Sequence, residues 1–307
     1  MLLSTIRAKR VVLMACVVIA AGFIGVRAPN RAEASGSACA VQNLNTGWVY
    51  TGEGFALQTA IDESLAGSTL QVTGWCTGNF TIAKDVRLVG LPTIAAPTPT
   101  LDGNGLERVI KVESGVVSLV GLTVTNGAGS YNGGGILNRG VLTLRRVSVE
   151  GNMATFGGGG GIWNAAIATL EVQDSSVTGN TSPHGSGGGI GSRGKVVVRG
   201  TTSIIGNSAG EGVSGGGGIF NRGRLVLRGG SLVRDNLAPM YGGGILNAGA
   251  LTLRGTSSVV RNVALADGGG VSNTGVPVAT FYVCADWRGR ISPNTPDDAP
   301  IPTVIAC

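Results

Sequence analysis

The sequence is poor in the side chains from which most catalytic and metal sites are built. Of its 307 residues, 13% are charged and 5% are aromatic, and His184 is the single histidine. Charged residues make up about 25% of an average protein. With one histidine and no Cys-x-x-Cys pair, the chain lacks the ligand spacing of a zinc site, and we expect neither a metal nor a cofactor.

The chain also lacks the excess of positive charge that would favour binding to nucleic acid. The formal net charge is +6, but residues 1–34 contain five basic residues and one acidic residue. The rest of the chain has 18 basic and 16 acidic residues, a net charge of +2. This balance gives no electrostatic reason to expect a nucleic-acid partner.

The apolar run at residues 11–26 is short for a membrane span. It has 16 residues, whereas a span needs about 20. A basic segment precedes it, and Ala32-Glu33-Ala34 follows with the small residues of a cleavage site. We therefore predict that residues 1–34 are a secretory signal peptide and that the protein is secreted or exposed at the cell surface, with an uncleaved anchor as the alternative.

Cysteine is scarce, and four cysteines follow the predicted signal peptide. They are Cys39, Cys76, Cys284 and Cys307. An even number in an exported protein favours two disulfides, for which three pairings are open. Because the cysteines lie in pairs on either side of the glycine-rich region, we predict Cys39–Cys76 and Cys284–Cys307, each closing one end.

Glycine, in contrast, is abundant and concentrated. The chain has 54 glycines, 39 of which lie within residues 127–275, and they follow no strict triplet, which excludes collagen. Six blocks of three glycines are each followed by Ile or Val, at spacings of 26, 28, 29, 26 and 26 residues. The blocks lie at 133–138, 159–164, 187–192, 216–221, 242–247 and 268–273. Such a regular recurrence indicates a repeat protein.

Each repeat contains three short apolar segments and no helical segment. An alternating segment such as Leu142-Thr143-Leu144 follows each of the first five blocks, and a third patch ends in Asn. Three short strands per repeat describe a three-sided parallel β-helix, here of about nine coils, in which equivalent residues stack about 4.8 Å apart. Stacked Asn side chains should then hydrogen-bond from coil to coil. The two predicted ladders are Asn138, Asn164, Asn221, Asn247 and Asn273, and Asn152, Asn180, Asn207, Asn236 and Asn262.

The flanking segments are predicted to close the ends of the solenoid. Residues 56–66 have apolar residues at helical spacing, from Leu57 to Leu65, and would form a short amphipathic helix over the first coil. Prolines are frequent after residue 275, where regular strand pairing should end. The predicted parts of the mature chain are an N-terminal cap at 35–69, a β-helix at 70–275 and a disulfide-closed, proline-rich cap at 276–307.

These repeats resemble those of a known class of exported proteins. The Gly-Gly-Gly-Ile-x-Asn blocks, the Leu-Thr-Leu strands and the run 175–180 resemble secreted right-handed parallel β-helix proteins of the pectate-lyase-like superfamily. The turn at 101–105 is similar to an early turn of such chains, and the repeats are most similar to those of polymorphic outer membrane proteins. The resemblance covers about residues 56–275 and implies an all-β, single-stranded, right-handed solenoid. The resemblance also implies activity on polysaccharides as a function to test, because many such proteins are polysaccharide lyases or hydrolases.

The carboxylates of the repeat region do not form a recognisable catalytic pair. Glycoside hydrolysis needs two carboxyl groups roughly 5–10 Å apart. The acidic residues within 127–275 are Glu150, Glu171, Asp174, Glu211, Asp235 and Asp267. Their positions in the repeats differ, so they are not expected to form a stacked cluster. We therefore predict no catalytic residues and a non-enzymatic protein, with a lyase or hydrolase that uses a non-standard site as the alternative.

Basic residues directly after the second strand of each coil would form a surface track. They are Arg145, Arg199, Arg228 and Arg254, with Gln173 in the remaining coil. Stacked in register, they could bind an acidic polysaccharide or a teichoic-type polymer, and we call them the anion track. The alternative is a solvated basic edge, since exposed like charges cost little in water.

The outward residues of the strands after the glycine blocks form a second stripe. It consists of Leu137, Trp163, Gly191, Phe220 and Leu246, flanked by Arg139, Arg193 and Arg222. Aromatic faces stack on sugars, and Gly191 could leave a ring-sized notch, so the stripe predicts a glycan-binding face. The alternative is that loops cover these apolar residues. Loops before the blocks could add a recognition edge through Tyr131, Phe156, His184, Glu211, Tyr241 and Asp267.

Together these patterns predict a secreted, non-enzymatic β-helix protein that presents a binding or adhesive face. The expected partner is a polysaccharide or another cell-envelope polymer. The mature chain is expected to be a monomer without a membrane span. A purely structural solenoid without a ligand is the remaining interpretation.

Overall fold

The computed structural model describes residues 38–52, 54–210, 215–274, 279–295 and 304–305. The predicted signal peptide and Cys307 lie outside these residues. The described chain is an all-β parallel β-helix with one short helix, which confirms the predicted fold class.

The first coils are irregular and begin with an antiparallel pair and the helix. Their elements are β1 (Ala40–Asn43), β2 (Val49–Thr51), α1 (Ala56–Glu63), β3 (Ser68–Thr73), β4 (Trp75–Thr77), β5 (Phe80–Ile82), β6 (Val86–Gly90), β7 (Thr100–Asp102), β8 (Ile110–Val112), β9 (Val116–Val120), β10 (Thr123–Thr125) and β11 (Ala128–Gly129). Strand β1 pairs antiparallel with both β2 and β3, and the pairing becomes parallel where β3 meets β6.

The later coils repeat one pattern of strand lengths. Their strands are β12 (Ile136–Asn138), β13 (Val141–Arg145), β14 (Ser148–Glu150), β15 (Met153–Ala154), β16 (Ile162–Asn164), β17 (Thr169–Gln173), β18 (Ser176–Thr178), β19 (Thr181–Ser182), β20 (Ile190–Ser192), β21 (Lys195–Arg199), β22 (Ser203–Ile205), β23 (Ser208–Ala209), β24 (Ile219–Asn221), β25 (Arg224–Leu227), β26 (Leu232–Arg234), β27 (Leu237–Ala238), β28 (Ile245–Asn247), β29 (Ala250–Leu253), β30 (Ser258–Val260), β31 (Val263–Ala264), β32 (Val271–Asn273), β33 (Thr280–Cys284) and β34 (Val304–Ile305).

These strands stack into four sheets along the solenoid. Sheet 1 has twelve strands in the order β2-β1-β3-β6-β9-β13-β17-β21-β25-β29-β33-β34. Sheet 2 has the eight strands β4-β7-β10-β14-β18-β22-β26-β30, and sheet 3 has the six strands β11-β15-β19-β23-β27-β31. Sheet 4 has the eight strands β5-β8-β12-β16-β20-β24-β28-β32.

Two details of the predicted coil were wrong. The solenoid has about eight turns rather than nine, since sheets 2 and 4 each contain eight strands. Each regular turn has four strands rather than three, because a two-residue strand such as Met153–Ala154 follows the buried Asn and adds sheet 3. Two residues are too few to show the alternation by which a strand is recognised in sequence.

Alternation of inward and outward residues builds the core. In β13, Leu142 and Leu144 are fully buried, while Val141 and Arg145 are exposed. Equivalent residues of neighbouring coils pair in register, as Ile136 does with Ile162. Burial of these aliphatic stacks stabilises the fold by about 25 cal/mol for each Å² of apolar surface removed from water.

The glycine blocks lie where neighbouring coils approach closely. Gly133 has a φ of 74°, which side chains rarely tolerate. A Cβ atom at Gly134 would lie 2.1 Å from the carbonyl oxygen of Met153 in the next coil. Glycine therefore recurs at this corner because the backbone needs both the conformation and the space.

Helix α1 covers the first coil, but it is shorter than predicted. It ends at Glu63 rather than Ala66, and it packs against β1, β2 and β5. Leu57 and Ile61 are buried, whereas Leu65 is 79% exposed because it lies beyond the end of the helix. Within the described residues, no helix has the length and apolarity needed to cross a membrane.

The two ends of the described solenoid carry different contacts. The predicted Cys39–Cys76 disulfide joins the segment before β1 to β4. At the other end, β33 and β34 extend sheet 1, and Trp287 packs against the core. Cys284 is buried, and its predicted partner lies outside the described residues, so the pairing with Cys307 stays a prediction.

Candidate binding cleft

Buried Asn side chains hold the register of the coils that carry the surface residues. In one ladder, each Asn Nδ2 donates to Oδ1 of the Asn in the next coil at 2.9–3.2 Å. The same Oδ1 also accepts the backbone N–H of the preceding Asn. The ladder extends one residue beyond the predicted set and consists of Asn152, Asn180, Asn207, Asn236, Asn262 and Asn294.

The second ladder is interrupted in the third glycine block. Asn138 Nδ2 donates to Asn164 Oδ1 at 2.8 Å, and Asn164 Nδ2 donates to Ser192 Oγ at 3.2 Å. Ser192 replaces Asn at this position, and its hydroxyl donates to the carbonyl oxygen of Gly194. The ladder continues in the later coils with bonds of 2.7 and 2.6 Å between Asn221, Asn247 and Asn273.

The outward middle residues of four consecutive sheet 4 strands form a row along the solenoid. Thr81 pairs with Lys111, Lys111 with Leu137, and Leu137 with Trp163. The predicted stripe contained the last two of these residues. Thr81 and Lys111 were missed because their strands are not preceded by the glycine block that marks the later ones.

This row borders a cleft of about 530 Å³ on the outer face of the first turns. The lining residues are Asn79, Phe80, Thr81, Glu107, Arg108, Lys111, Tyr131, Asn132, Leu137, Arg139, Trp163 and Ala165. Of the predicted glycan-binding residues, Trp163 and Arg139 line it, while Arg193, Phe220 and Arg222 do not. Tyr131, from the loop before the first glycine block, adds a ring that is 68% exposed.

Trp163 occupies the notch that Gly191 was expected to leave open. A Cβ atom at Gly191 would lie 2.6 Å from Cε3 of the Trp163 ring, and Trp163 is 7% exposed. The guanidinium carbon of Arg193 lies 5.6 Å from the ring centroid, within the range of a cation–π contact. The notch is therefore filled by the ring itself, whose small exposed part adjoins the cleft.

Most of the remaining stripe is covered. Leu137 and Leu246 are each 6% exposed, and Phe220 is half-buried. Arg193 and Arg222 are exposed beside it. The apolar stripe members that line the cleft, Leu137 and Trp163, are therefore themselves buried, and the half-buried Phe220 lies outside the cleft.

Glu113 joins two of the basic residues of the cleft. Its carboxylate pairs with Lys111 and lies 2.7 Å from Nη1 of Arg139. The hydrogen bond from Lys111, followed by that from Arg139, holds the pKa of Glu113 below its ordinary value. The carboxylate therefore stays charged and neutralises part of the positive charge of its two partners.

Arg108 is the basic residue of the cleft that has no salt-bridge partner among the described residues. Burial lowers the pKa of its guanidinium. The negative charge of Glu107 raises this pKa, and the positive charge of Arg139 lowers it further. The group still carries its proton at neutral pH. Asn79 Nδ2 donates to the Arg108 carbonyl at 2.8 Å and so holds the loop in place. A half-buried guanidinium in this position can bind an anionic group of a ligand.

The predicted anion track is interleaved with carboxylates. Arg145 stacks on Gln173, and Gln173 on Arg199, in the expected register. Arg199 forms an ion pair with Glu171 of the preceding coil, and Arg254 Nε lies 3.7 Å from an oxygen of Asp286. The two remaining members, Arg145 and Arg228, are exposed.

The loop residues before the glycine blocks form separate contacts. The rings of Phe156 and His184 stack with centroids 5.8 Å apart, and both residues are exposed. Tyr241 and Asp267 pair through an isolated parallel bridge. Glu211 lies outside the described residues.

The lining residues bring several kinds of polar and aromatic groups together in the cleft. It combines an exposed phenol ring, side-chain amides and a guanidinium, and Glu107 is the one carboxylate among its lining residues. A glycosidase-type mechanism would need a second carboxyl group across the bond. In the described part of the chain, no cluster of three or more His, Cys, Asp or Glu side chains could hold a metal ion.

Comparisons with protein-family models, with curated proteins and with solved structures found no match. The repeat pattern and the observed parallel β-helix therefore establish the architecture.

Proposed function

We propose that this protein is an exported, non-enzymatic β-helix that binds a polysaccharide with acidic sugars in the cleft on sheet 4. The observation that carries the proposal is the presence in one cleft of the Arg108 guanidinium and the exposed Tyr131 ring. A guanidinium matches a sugar carboxylate through two parallel hydrogen bonds. An aromatic face offers an apolar surface against which a sugar ring can pack.

The shape of the cleft fits a short stretch of a linear polymer. Its volume of about 530 Å³ lies within the range of roughly 300–1,000 Å³ that is common for small-ligand sites. Its floor extends from Thr81 to Trp163 over four neighbouring strands, or about 14 Å at a strand spacing of about 4.8 Å. An oligosaccharide lying along the solenoid axis would contact all four coils.

Binding without cleavage is favoured by the number of carboxylates that line the cleft. Glu107 is the single carboxylate among the lining residues, whereas glycoside hydrolysis by the common mechanism requires two carboxyl groups. Glu113 does not line the cleft, and its carboxylate pairs with the lining residues Lys111 and Arg139. The alternative function, a lyase or hydrolase with a non-standard site, would have to show turnover of the bound polymer.

Export is the second part of the proposal. The pattern of residues 1–34 supports it, and so does the Cys39–Cys76 disulfide, because disulfides persist mainly in oxidising compartments. Release of residues 1–34 from the mature protein would be checked by mass spectrometry of the secreted chain.

A panel of oligosaccharides tests the function. Uronic-acid oligomers and their neutral counterparts would be titrated into the purified mature chain and into its Tyr131→Ala and Phe156→Ala variants. Phe156 is the matched control because it is an exposed aromatic residue of the next loop that does not line the cleft. We expect binding of the acidic oligomers, a loss of at least tenfold in Tyr131→Ala and no change in Phe156→Ala.

Two results would contradict the proposal. Equal affinity of Tyr131→Ala and wild type would place the ligand elsewhere, and an absence of binding to every oligomer would favour a purely structural solenoid. Release of shorter products or of unsaturated sugars during the incubation would support the enzymatic alternative.

A further inference from the structure

A second concave site lies on the outer face of sheet 2, in the last turns of the solenoid. It has a volume of about 410 Å³. Its lining residues are Leu232, Arg234, Ser258, Val260, Arg261, Arg290, Ser292 and Pro293. Three of these eight are arginines, and no sequence pattern drew attention to them.

The site is assembled from three segments. Strands β26 and β30 pair in register, so that Arg234 lies beside Val260 and Leu232 beside Ser258. The segment that begins at Arg290 runs along β30, the edge strand of sheet 2. Val259 N–H donates to the Arg290 carbonyl at 2.7 Å, and Arg290 N–H donates to Ser258 Oγ at 3.1 Å. These bonds hold Arg290 next to the other two arginines.

The arginines outnumber the carboxylates of the site. Asp235 accepts a hydrogen bond from Arg234 Nη1 at 2.9 Å, and from Nε and Nη2 of Arg261 at 2.9 and 2.7 Å. The bonds from Arg261 hold the pKa of Asp235 below its ordinary value, so the carboxylate is charged. Arg290 has no salt-bridge partner among the described residues. Arg234 and Arg261 share one carboxylate, so among the described residues two of the three guanidinium charges have no counter-charge.

The hydrogen bonds of the site are also incomplete. Nε of Arg234 is buried and has no acceptor in the described chain, although Nη1 of the same group is bonded to Asp235. A buried donor without an acceptor is unfavourable, and a donor that carries positive charge is more so. The described residues therefore leave the polar groups of the arginine cluster incompletely satisfied.

We propose that this site binds a doubly negative tetrahedral oxyanion, either a phosphate monoester or a sulfate, through Arg234, Arg261 and Arg290. The charge of such a group matches the two guanidinium charges that have no carboxylate partner in the described residues. Its several oxygens can accept from separate guanidinium groups, and arginine is the side chain best suited to oxyanions because its donors form a rigid fork. The site lies on another sheet and at the opposite end of the described solenoid from the cleft, so it is independent of the polysaccharide proposal.

The test follows the NMR resonance of the Arg234 Nε–H group, the donor without an acceptor. Sodium phosphate, sodium sulfate and sodium acetate are titrated at pH 7.5 into the ¹⁵N-labelled mature chain, with ionic strength held constant by sodium chloride. We expect the Nε–H resonance of Arg234 to shift and to saturate at one anion per chain with phosphate or sulfate, and not with acetate. Tighter binding of phosphate than of sulfate would identify a phosphate ester as the source, and the reverse order would identify a sulfate.

Two variants distinguish binding at this site from non-specific attraction of anions to positively charged residues. Arg290→Gln removes an exposed guanidinium that holds no salt bridge in the described chain, so the fold should be kept, and the affinity should fall at least tenfold. Arg87→Gln, an exposed arginine in β6 at the other end, is the matched control and should bind as wild type does. A shift that never saturates, an equal response to acetate, or unchanged affinity in Arg290→Gln would overturn the proposal.

Discussion

At the scale of single residues, the register of the coils depends on buried Asn side chains. Asn207 shows the pattern, because its Nδ2 donates to Asn236 Oδ1 and to the Val177 carbonyl. Its Oδ1 accepts both the backbone N–H and the Nδ2 of Asn180. One side chain thus satisfies polar groups of both neighbouring coils, in a place where each unsatisfied group would cost about 1–3 kcal/mol.

Replacement of this residue is expected to destabilise the fold strongly. Asn207→Ala leaves at least two buried groups without partners, so the free energy of unfolding should fall by about 2–4 kcal/mol. Thr143→Ala, at an outward position of β13, should change it by less than about 0.5 kcal/mol. Urea denaturation followed by circular dichroism measures both. Similar losses in the two variants would show that the ladder adds nothing specific.

The contact between Trp163 and Gly191 makes a second residue-scale prediction. Gly191→Ala places a methyl group against the Trp163 ring and should cost about 1–3 kcal/mol of stability. In a Trp163→Ala background the same change should cost less, because the ring is gone. A double-mutant cycle measures this coupling, and additive losses would contradict the observed packing.

The stacking of the Asn side chains could be predicted from the sequence, but the packing of Trp163 against Gly191 could not. The recurrence of Asn at equivalent repeat positions predicted which side chains stack, because a buried amide needs a partner in the next coil. The sequence could not show that the Trp163 ring lies over Gly191, since the direction of a side chain within a stacked row depends on the glycine backbone around it. The row of outward residues was predicted either as a glycan-binding face or as a stripe covered by loops, whereas the Trp163 ring itself fills the gap at Gly191.

At the scale of elements, helix α1 caps the first turn of the solenoid. Leu57→Ala should remove a fully buried side chain at a cost of about 2–5 kcal/mol, and it should speed amide hydrogen exchange in β3 and β5 more than in later coils. Leu65→Ala is the matched control and should have little effect, because Leu65 is exposed beyond the helix end. Equal exchange in the two variants would mean that α1 does not act as a cap.

A strand could be predicted where its sequence alternates between apolar and polar residues. Five-residue strands such as Val141–Arg145 alternate clearly between apolar and polar positions, and the glycine blocks mark the strands of sheet 4. The two-residue strands of sheet 3 have no such pattern, so the fourth side of the coil was missed. The end of α1 was misplaced because Leu65 continues the helical spacing after the backbone has left the helix.

At the scale of the whole molecule, the two proposed sites lie at opposite ends of the described solenoid. The cleft lies on sheet 4 in the first turns, and the arginine site lies on sheet 2 in the last. Trp163 and Arg139 were found from the repeat pattern, but Arg108 and Lys111 belong to irregular coils and were not. Residues far apart in sequence, such as Arg234 and Arg290, meet only when the chain after the last coil folds along a sheet edge.

Binding of an acidic polysaccharide in the cleft through Arg108 can be tested by a single calorimetric titration. A uronic-acid oligosaccharide is titrated into wild type, Arg108→Gln and the exposed control Arg224→Gln at one ionic strength. We predict saturable binding to wild type and to Arg224→Gln, and at least a tenfold weaker affinity in Arg108→Gln. Equal affinity in all three proteins would contradict the account.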